Sequence, residues 1–133
     1  MENEIINQEE RHLILVAEDD DSNFKLIKAI IGKKYDIIWA KNGQEMVENF
    51  TEYQSKADAV LMDIKMPIMN GLEATKIIRG MSPNIPIIMQ TAYAFNTDKE
   101  NAMNAGATEV LVKPITLSML RNCLSKYFPD VKW

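Results

Sequence analysis

Asp63 closes the apolar run Val60-Leu61-Met62 and is followed by Ile64-Lys65-Met66-Pro67. Three other apolar runs end on polar side chains in the same way. His12-Leu13-Ile14-Leu15-Val16-Ala17 runs into Glu18-Asp19-Asp20-Asp21, Ile85-Pro86-Ile87-Ile88-Met89-Gln90 into Thr91, and Val110-Leu111-Val112 into Lys113-Pro114. In a doubly wound α/β sheet, ligands bind beyond the carboxyl ends of the strands. If these four runs are parallel strands, carboxylates, a hydroxyl and an ammonium meet along one edge. That set of groups suits metal-assisted phosphoryl chemistry on Asp63.

Glu18, Asp19 and Asp63 would then lie a few ångströms apart. At a separation of about 4 Å and an effective dielectric near 20, each pair of charges repels by about 4 kcal/mol. Such a cluster needs cations or raised pKa values to persist. A hard, oxygen-ligated divalent ion fits, and magnesium is the natural candidate, with manganese as a substitute. Asp19 and Asp63 are the expected direct ligands. Glu18 acts through water, and the main-chain carbonyl of Lys65 is within reach of the same ion. Asp20 and Asp21 read as a solvated helix N-terminus, where acids are favoured. An aspartate can accept a phosphoryl group covalently, and the protein then has only to position groups and neutralise charge. Lys113 is expected to pair with Asp63 at rest and to meet a phosphoryl oxygen afterwards. Thr91 offers its hydroxyl to another oxygen, and at a strand end it can move to report the phosphate. Pro114 forces a special turn after Lys113, and a cis bond is open to it.

The elements that must position these groups follow from periodicity. Apolar runs alternate with helical patterns, the signature of βαβ units. Strands are expected over residues 12–17, 35–40, 58–62, 86–90 and 108–112. The first helix, over 22–32, carries Phe24, Ile27, Ile30 and Ile31 on one face. The second, over 44–53, carries Met46, Val47 and Phe50, and the third opens near Asn70-Gly71. The fourth is expected to start at Thr97, where Thr97-Asp98-Lys99-Glu100 reads as a capping box, and to end at Gly106. Thr116 caps the fifth, with Leu117, Leu120 and Leu124 at helical spacing. The pattern predicts an α/β fold: a five-stranded parallel doubly wound sheet, flavodoxin-like, with helices on both faces. Right-handed crossovers give the order 2-1-3-4-5. Its switch point lies between the strands that end in Glu18-Asp19 and in Asp63.

Composition limits the alternatives. A chain of 133 residues defaults to one domain, and 47% hydrophobic residues fit a globular protein. The net charge of −4, with no basic stripe, argues against direct nucleic-acid binding. A single cysteine, Cys123, excludes an internal disulfide and fits a reducing compartment. No apolar run approaches the ~18 residues of a membrane span, so no membrane contact is expected. Residues 1–10 lack the basic-then-apolar order of a signal peptide, and a cytoplasmic location is the expectation. Residues 1–11 read as a tail or linker, and 129–133 as a C-terminal tail. His12 is expected at the surface or an edge, and Cys123 in the core. Met62, Met66, Met69 and Met89 fill gaps. Trp39 belongs to strand two, and Trp133 to a loose terminus.

The motifs together resemble the receiver domain of two-component response regulators, over residues 12–128. The stretches that carry the resemblance are Ile14-Leu15-Val16-Ala17-Glu18-Asp19, Leu61-Met62-Asp63-Ile64-Lys65-Met66-Pro67 with Met69-Asn70-Gly71, Gln90-Thr91-Ala92, and Lys113-Pro114-Ile115. The resemblance implies a phosphoprotein of a phosphorelay. Asp63 would take a phosphoryl group from a phosphohistidine on a histidine kinase or histidine phosphotransfer domain, with magnesium required. Thr91, Ala92 and Lys113 would bind the phosphoryl group and switch, and the Lys113–Pro114 bond would be cis. Asn23, Asn42-Gly43-Gln44-Glu45 and Thr91-Ala92-Tyr93-Ala94 are most similar to receivers of hybrid sensor histidine kinases. No output domain is expected after residue 128, so the chain is a stand-alone receiver or a piece of a longer kinase. The domain is not an enzyme beyond its own phosphoryl transfer and dephosphorylation. A homodimer is left open.

One position departs from the pattern. Many receivers carry an aromatic residue three positions before the lysine, and this chain has Val110. Valine is small and stiff at χ1, so no aromatic gate operates there. Lys65 and Tyr93 flank the presumed site and are expected to tune hydrolysis, with a phosphoryl lifetime of minutes or longer. Helix one is a candidate docking face for the donor, with Phe24, Ile27, Lys28 and Ile31 the residues to test and some of them necessarily core. The alternative reading is a degenerate receiver that binds a partner without phosphorylation. A flavodoxin-type nucleotide binder is disfavoured because Glu18-Asp19-Asp20-Asp21 would repel phosphate. An aspartyl-phosphate hydrolase would need a second aspartate at position 65, where lysine stands.

Overall fold

The computed structural model describes residues 11–93 and 96–133. Of the tail expected over residues 1–11, all but Arg11 lies outside the described residues, as does Ala94. The apolar runs form β1 (Leu13–Ala17), β2 (Asp36–Ala40), β3 (Ala57–Asp63), β4 (Ile87–Thr91) and β5 (Glu109–Val112). All pairings are parallel, in the order β2-β1-β3-β4-β5. Between and after the strands lie α1 (Asp21–Ile31), α2 (Gly43–Tyr53), α3 (Gly71–Met81), α4 (Asn96–Ala105) and α5 (Leu117–Tyr127). The expected fold and strand order are thus observed.

Strand alternation sorts side chains into two cores. Ile14, Val16, Leu61 and Ile88 pack with Phe24, Ile27 and Ile31 of α1 and with Leu120, Cys123 and Leu124 of α5. Leu15, Ala17, Val60, Met62 and Met89 pack on the other face with Met46 and Phe50 of α2, Ala74 and Ile78 of α3, and Ala102 of α4. Strands buried on both faces read as unbroken apolar runs, which is why β3 and β4 stand out in the sequence. The same alternation puts Asp63 and Gln90 on the α1–α5 face.

Helix N-termini gather at the carboxyl edge of the sheet. The side chains of Asp20, Asn42, Asn70 and Thr116 cap α1, α2, α3 and α5 by accepting the N–H groups of Asn23, Glu45, Glu73 and Met119. The β3–α3 turn is held at close quarters. Gly71 N–H donates to Ile64 O at 2.8 Å, and Gly43 N–H to Met69 O at 2.8 Å. A Cβ on Gly71 would stand 2.0 Å from the carbonyl oxygen of Asp63, so only glycine fits. Within this turn Met69 N–H reaches back to Pro67 O at 2.7 Å. The bond spans Ile68, which has φ 70° and is 82% exposed. This is the positive-φ γ-turn, a strained conformation for a β-branched residue.

Several expectations are corrected. α4 starts at Asn96, so Thr97 lies within its first turn rather than capping it. Arg11 belongs to the fold: its guanidinium donates to the carbonyls of Gly32 and Tyr35 at 2.6 and 2.7 Å, closing the end of α1. Trp133 is not loose. Its ring packs 5.9 Å from that of Tyr35, and Val131 joins it against the α1–α5 core. His12 holds this end too, 2.9 Å from Asp130 and with its ring 4.5 Å from that of Phe128. Burial of two apolar side chains outweighs the freedom of a short polar terminus.

The glycines of α3 separate crowding from helix propensity. Gly71→Ala should lower unfolding stability in urea by about 1–3 kcal/mol through overpacking against Asp63. Gly80→Ala, where an added Cβ meets nothing within 4 Å, should raise it by about 0.5–1 kcal/mol.

Candidate functional site

Glu18 follows β1 directly and is fully buried. Its N–H donates to Ala40 O at 2.9 Å, and its carbonyl accepts the Trp39 indole N–H at 2.8 Å. One carboxylate oxygen accepts from Asp20 N–H at 3.2 Å, and the other lies 3.5 Å from the Lys113 ammonium. Asp19, one residue on, is exposed. Asp63 ends β3, 5% exposed, with its Oδ2 2.9 Å from Lys113 Nζ. Ile64 N–H donates to Gln90 O at 3.1 Å, tying the turn after Asp63 to β4.

Lys113 leaves the end of β5, where its N–H donates to Thr91 O at 2.8 Å, and the following bond to Pro114 is cis. Thr91 ends β4 and is buried, and its hydroxyl oxygen accepts Tyr93 N–H at 3.1 Å. Asp63, Lys65, Thr91, Ala92, Tyr93 and Lys113 line a cleft of about 90 Å³. Lys65 Nζ lies 4.8 Å from the centre of the Tyr93 ring, a cation–π contact at the mouth of this cleft. Val110 sits in β5 opposite Met89 and packs into the α2–α4 core, away from the cleft.

The electrostatics follow from burial and crowding. Burial, and then the charge of Asp63, push the Glu18 carboxyl up from 4.5 to about 7 against the pull of Lys113 and Asp20 N–H. Burial alone would lower the Lys113 ammonium, but its hydrogen bond to Asp63 and the two carboxylate charges hold it above its ordinary value. Oxygens of Glu18, Asp19 and Asp63 lie within 4.8 Å of one another, the one such acidic group among the described residues. The donor set is all hard oxygen. The Lys65 carbonyl adds an acceptor that takes no hydrogen bond from any described residue. These residues fit a divalent cation of the magnesium type.

The structure thus brings together Glu18, Asp19, Asp63, Thr91, Ala92 and Lys113, with Lys65 and Tyr93 at the rim. Of the four residues offered for a docking face on α1, Phe24, Ile27 and Ile31 are core and Lys28 is exposed. Asp21, Ser22, Lys25, Leu26, Lys28 and Ala29 are the exposed residues there. Sequence reasoning gave Trp39 no role beyond its strand, and nothing in the spacing signals its bond to Glu18. It named Lys65 and Tyr93 separately without foreseeing their contact.

Comparison with known proteins agrees with this geometry. The family model described as response regulator receiver domain matches residues 14–125. A hybrid signal transduction histidine kinase of Dictyostelium discoideum is 43% identical over 115 residues, 80% of this chain, which spans only 7% of that kinase. The receiver domain of a sensor histidine kinase from Pseudomonas aeruginosa superposes with a TM-score of 0.80 at 30% identity, covering 90% of this chain and 98% of that one. It was crystallised with a magnesium ion coordinated in the active site cleft. A chain from the Saccharomyces cerevisiae co-crystal of a histidine phosphotransfer signalling protein and the receiver domain of its downstream response regulator gives a TM-score of 0.80 at 28% identity, with 88% of each chain covered. No helix among the described residues is long and apolar enough to cross a membrane. The fold, the five parallel strand ends and the family model converge, and the chain belongs to the response regulator receiver domains of two-component phosphorelays.

Proposed function

We propose that Asp63 is the phosphoacceptor of this receiver, taking its phosphoryl group from a phosphohistidine on a histidine kinase or histidine phosphotransfer domain. The observation that carries the reading is a nearly buried aspartate with an ammonium 2.9 Å from one oxygen and two further carboxylates at its side. An Asp63 oxygen forms the new bond to phosphorus as the phosphorus–nitrogen bond of the donor imidazole breaks. The imidazole leaves with the bonding pair and takes a proton from solvent. Lys113 then turns from the Asp63 carboxylate to a phosphoryl oxygen. The Thr91 hydroxyl, now held by Tyr93 N–H, donates to a second oxygen, and the Ala92 backbone lies beside it. Glu18, Asp19, Asp63 and the Lys65 carbonyl are the groups that would hold magnesium or manganese. Such an ion supplies charge neutralisation on the transferred group.

Drawing Thr91 inward biases β4 and the segment after it, a two-state element that the phosphoryl group shifts. With Val110 on β5, the shift travels without an aromatic gate at that position. The domain over residues 12–128 performs no reaction on other substrates, and its partners are the phosphohistidine donor and whatever reads the switched state. A homodimer of the switched form is compatible with this reading. The assignment does not extend to the rest of any longer protein.

Incubation with magnesium and acetyl phosphate should add one phosphoryl mass by intact mass spectrometry, and Asp63→Asn should abolish the gain. A wild-type chain that stays unmodified with acetyl phosphate, phosphoramidate and phosphohistidine donors alike would favour the degenerate binding module. The Lys65–Tyr93 contact covers the cleft mouth and aims no water at phosphorus, so the phosphoryl label should persist for minutes or longer. Tyr93→Ala should shorten that lifetime several-fold in the same magnesium buffer. Glu18 sets a pH dependence. Its folded pKa of about 7 lies above the ordinary 4.5, so the folded state binds the extra proton between these values. That stabilisation is complete below about pH 4.5 and is lost as pH rises through about 7. Without metal, the melting temperature should show this fall, and Glu18→Gln should flatten it.

A further inference from the structure

We infer that Trp39 is a positioning residue for the cation site, clamping the acidic turn that Glu18 and Asp19 form. This rests on the cation reading given above and goes beyond the groups that touch the ion. Trp39 lies on β2, the edge strand next to β1, opposite Val16. Its indole N–H donates to the Glu18 carbonyl at 2.8 Å. That carbonyl belongs to the peptide whose nitrogen is Asp19's own, so the bond fixes the plane from which the Asp19 side chain departs.

The same indole also holds the helix that follows the turn. It stacks face to face on Phe24 in the first turns of α1, with ring centres 4.0 Å apart and an interplanar angle of 0°. Lys41 Nζ lies 4.9 Å from the Trp39 ring centre. One side chain therefore holds the turn at Glu18 by a hydrogen bond and the helix that follows it at Phe24 by a ring stack.

The clamp opposes a definite force. Glu18, Asp19 and Asp63 repel one another, and Asp19 is the exposed member with no hydrogen-bond partner among the described residues. Lys113 touches Glu18 and Asp63, and no contact of it with Asp19 is formed. Without a fixed peptide plane, Asp19 swings outward, and the cation must then bear the cost of bringing it back. Partners that orient a metal ligand change affinity in this way without touching the metal.

The test uses magnesium alone on the full chain. In a Trp133→Phe background Trp39 is the sole tryptophan, and its emission should change saturably with magnesium. Asp19→Asn should remove that change. Trp39→Phe keeps an aromatic ring against Phe24 while losing the N–H and some of the stacked area. It should weaken the magnesium dissociation constant, measured by calorimetry, about 5- to 10-fold. A merely structural role would move the melting temperature and leave magnesium affinity alone. An unchanged dissociation constant in Trp39→Phe, or a Trp39 emission indifferent to saturating magnesium, overturns the inference and leaves the phosphoacceptor reading standing. Absence of magnesium binding to the wild-type chain would instead bring down the cation reading itself. Should Trp39→Phe fail to fold, the emission titration of the Trp39-only chain decides alone.

Discussion

The contact between Lys113 and Asp63 is the constraint from which the site and much of the surrounding backbone follow. Two nearly buried carboxylates, Glu18 and Asp63, share one ammonium that reaches them from beyond β5, two strands from β3 and three from β1. Taken alone, each carboxylate would be costly to bury. The single cation offsets part of that cost and leaves a residual imbalance, visible in the upward shift of Glu18 and not of a kind that side-chain packing can remove. The residual negative charge of Glu18, Asp19 and Asp63 is what a small divalent cation would neutralise.

The backbone around Asp63 is accordingly over-determined. Ile64 is tied to β4, Gly71 closes on Ile64, and Gly43 anchors the far side of the same turn. Asn70 and Asn42 cap the helices that leave this region. The backbone that carries the carboxylate is thus tied by hydrogen bonds to β4, α2 and α3, a rigidity that would suit the in-line displacement proposed for Asp63.

Much of this was legible from residue order. Unbroken apolar runs marked β3 and β4 because both their faces are covered. The polar residue that ended each run marked the functional edge, since a charge tolerated at the end of a buried strand must find a partner there. Parallel pairing then brought Glu18, Asp63, Thr91 and Lys113 together without any further information. What could not be read were contacts between elements distant in sequence and unrelated by periodicity. Trp39 looked like one more β-former on an edge strand, and its hydrogen bond depends on how β2 sits beside the β1–α1 turn. Trp133 looked terminal and loose because composition says nothing about an apolar groove waiting near Tyr35. The start of α4 was misplaced by one residue because the Thr97 to Glu100 pattern satisfies a capping rule that tertiary placement did not use.

The γ-turn at Ile68 has an energetic consequence. A β-branched side chain on left-handed backbone carries strain of about 1–3 kcal/mol, and here it lies in water with no packing to justify it. The turn is joined through the Gly71 N–H to the carbonyl of Ile64, the residue after Asp63. Strain of that order, held at a turn five residues past Asp63, is a cost that the hydrogen bonds of the β3–α3 loop must offset.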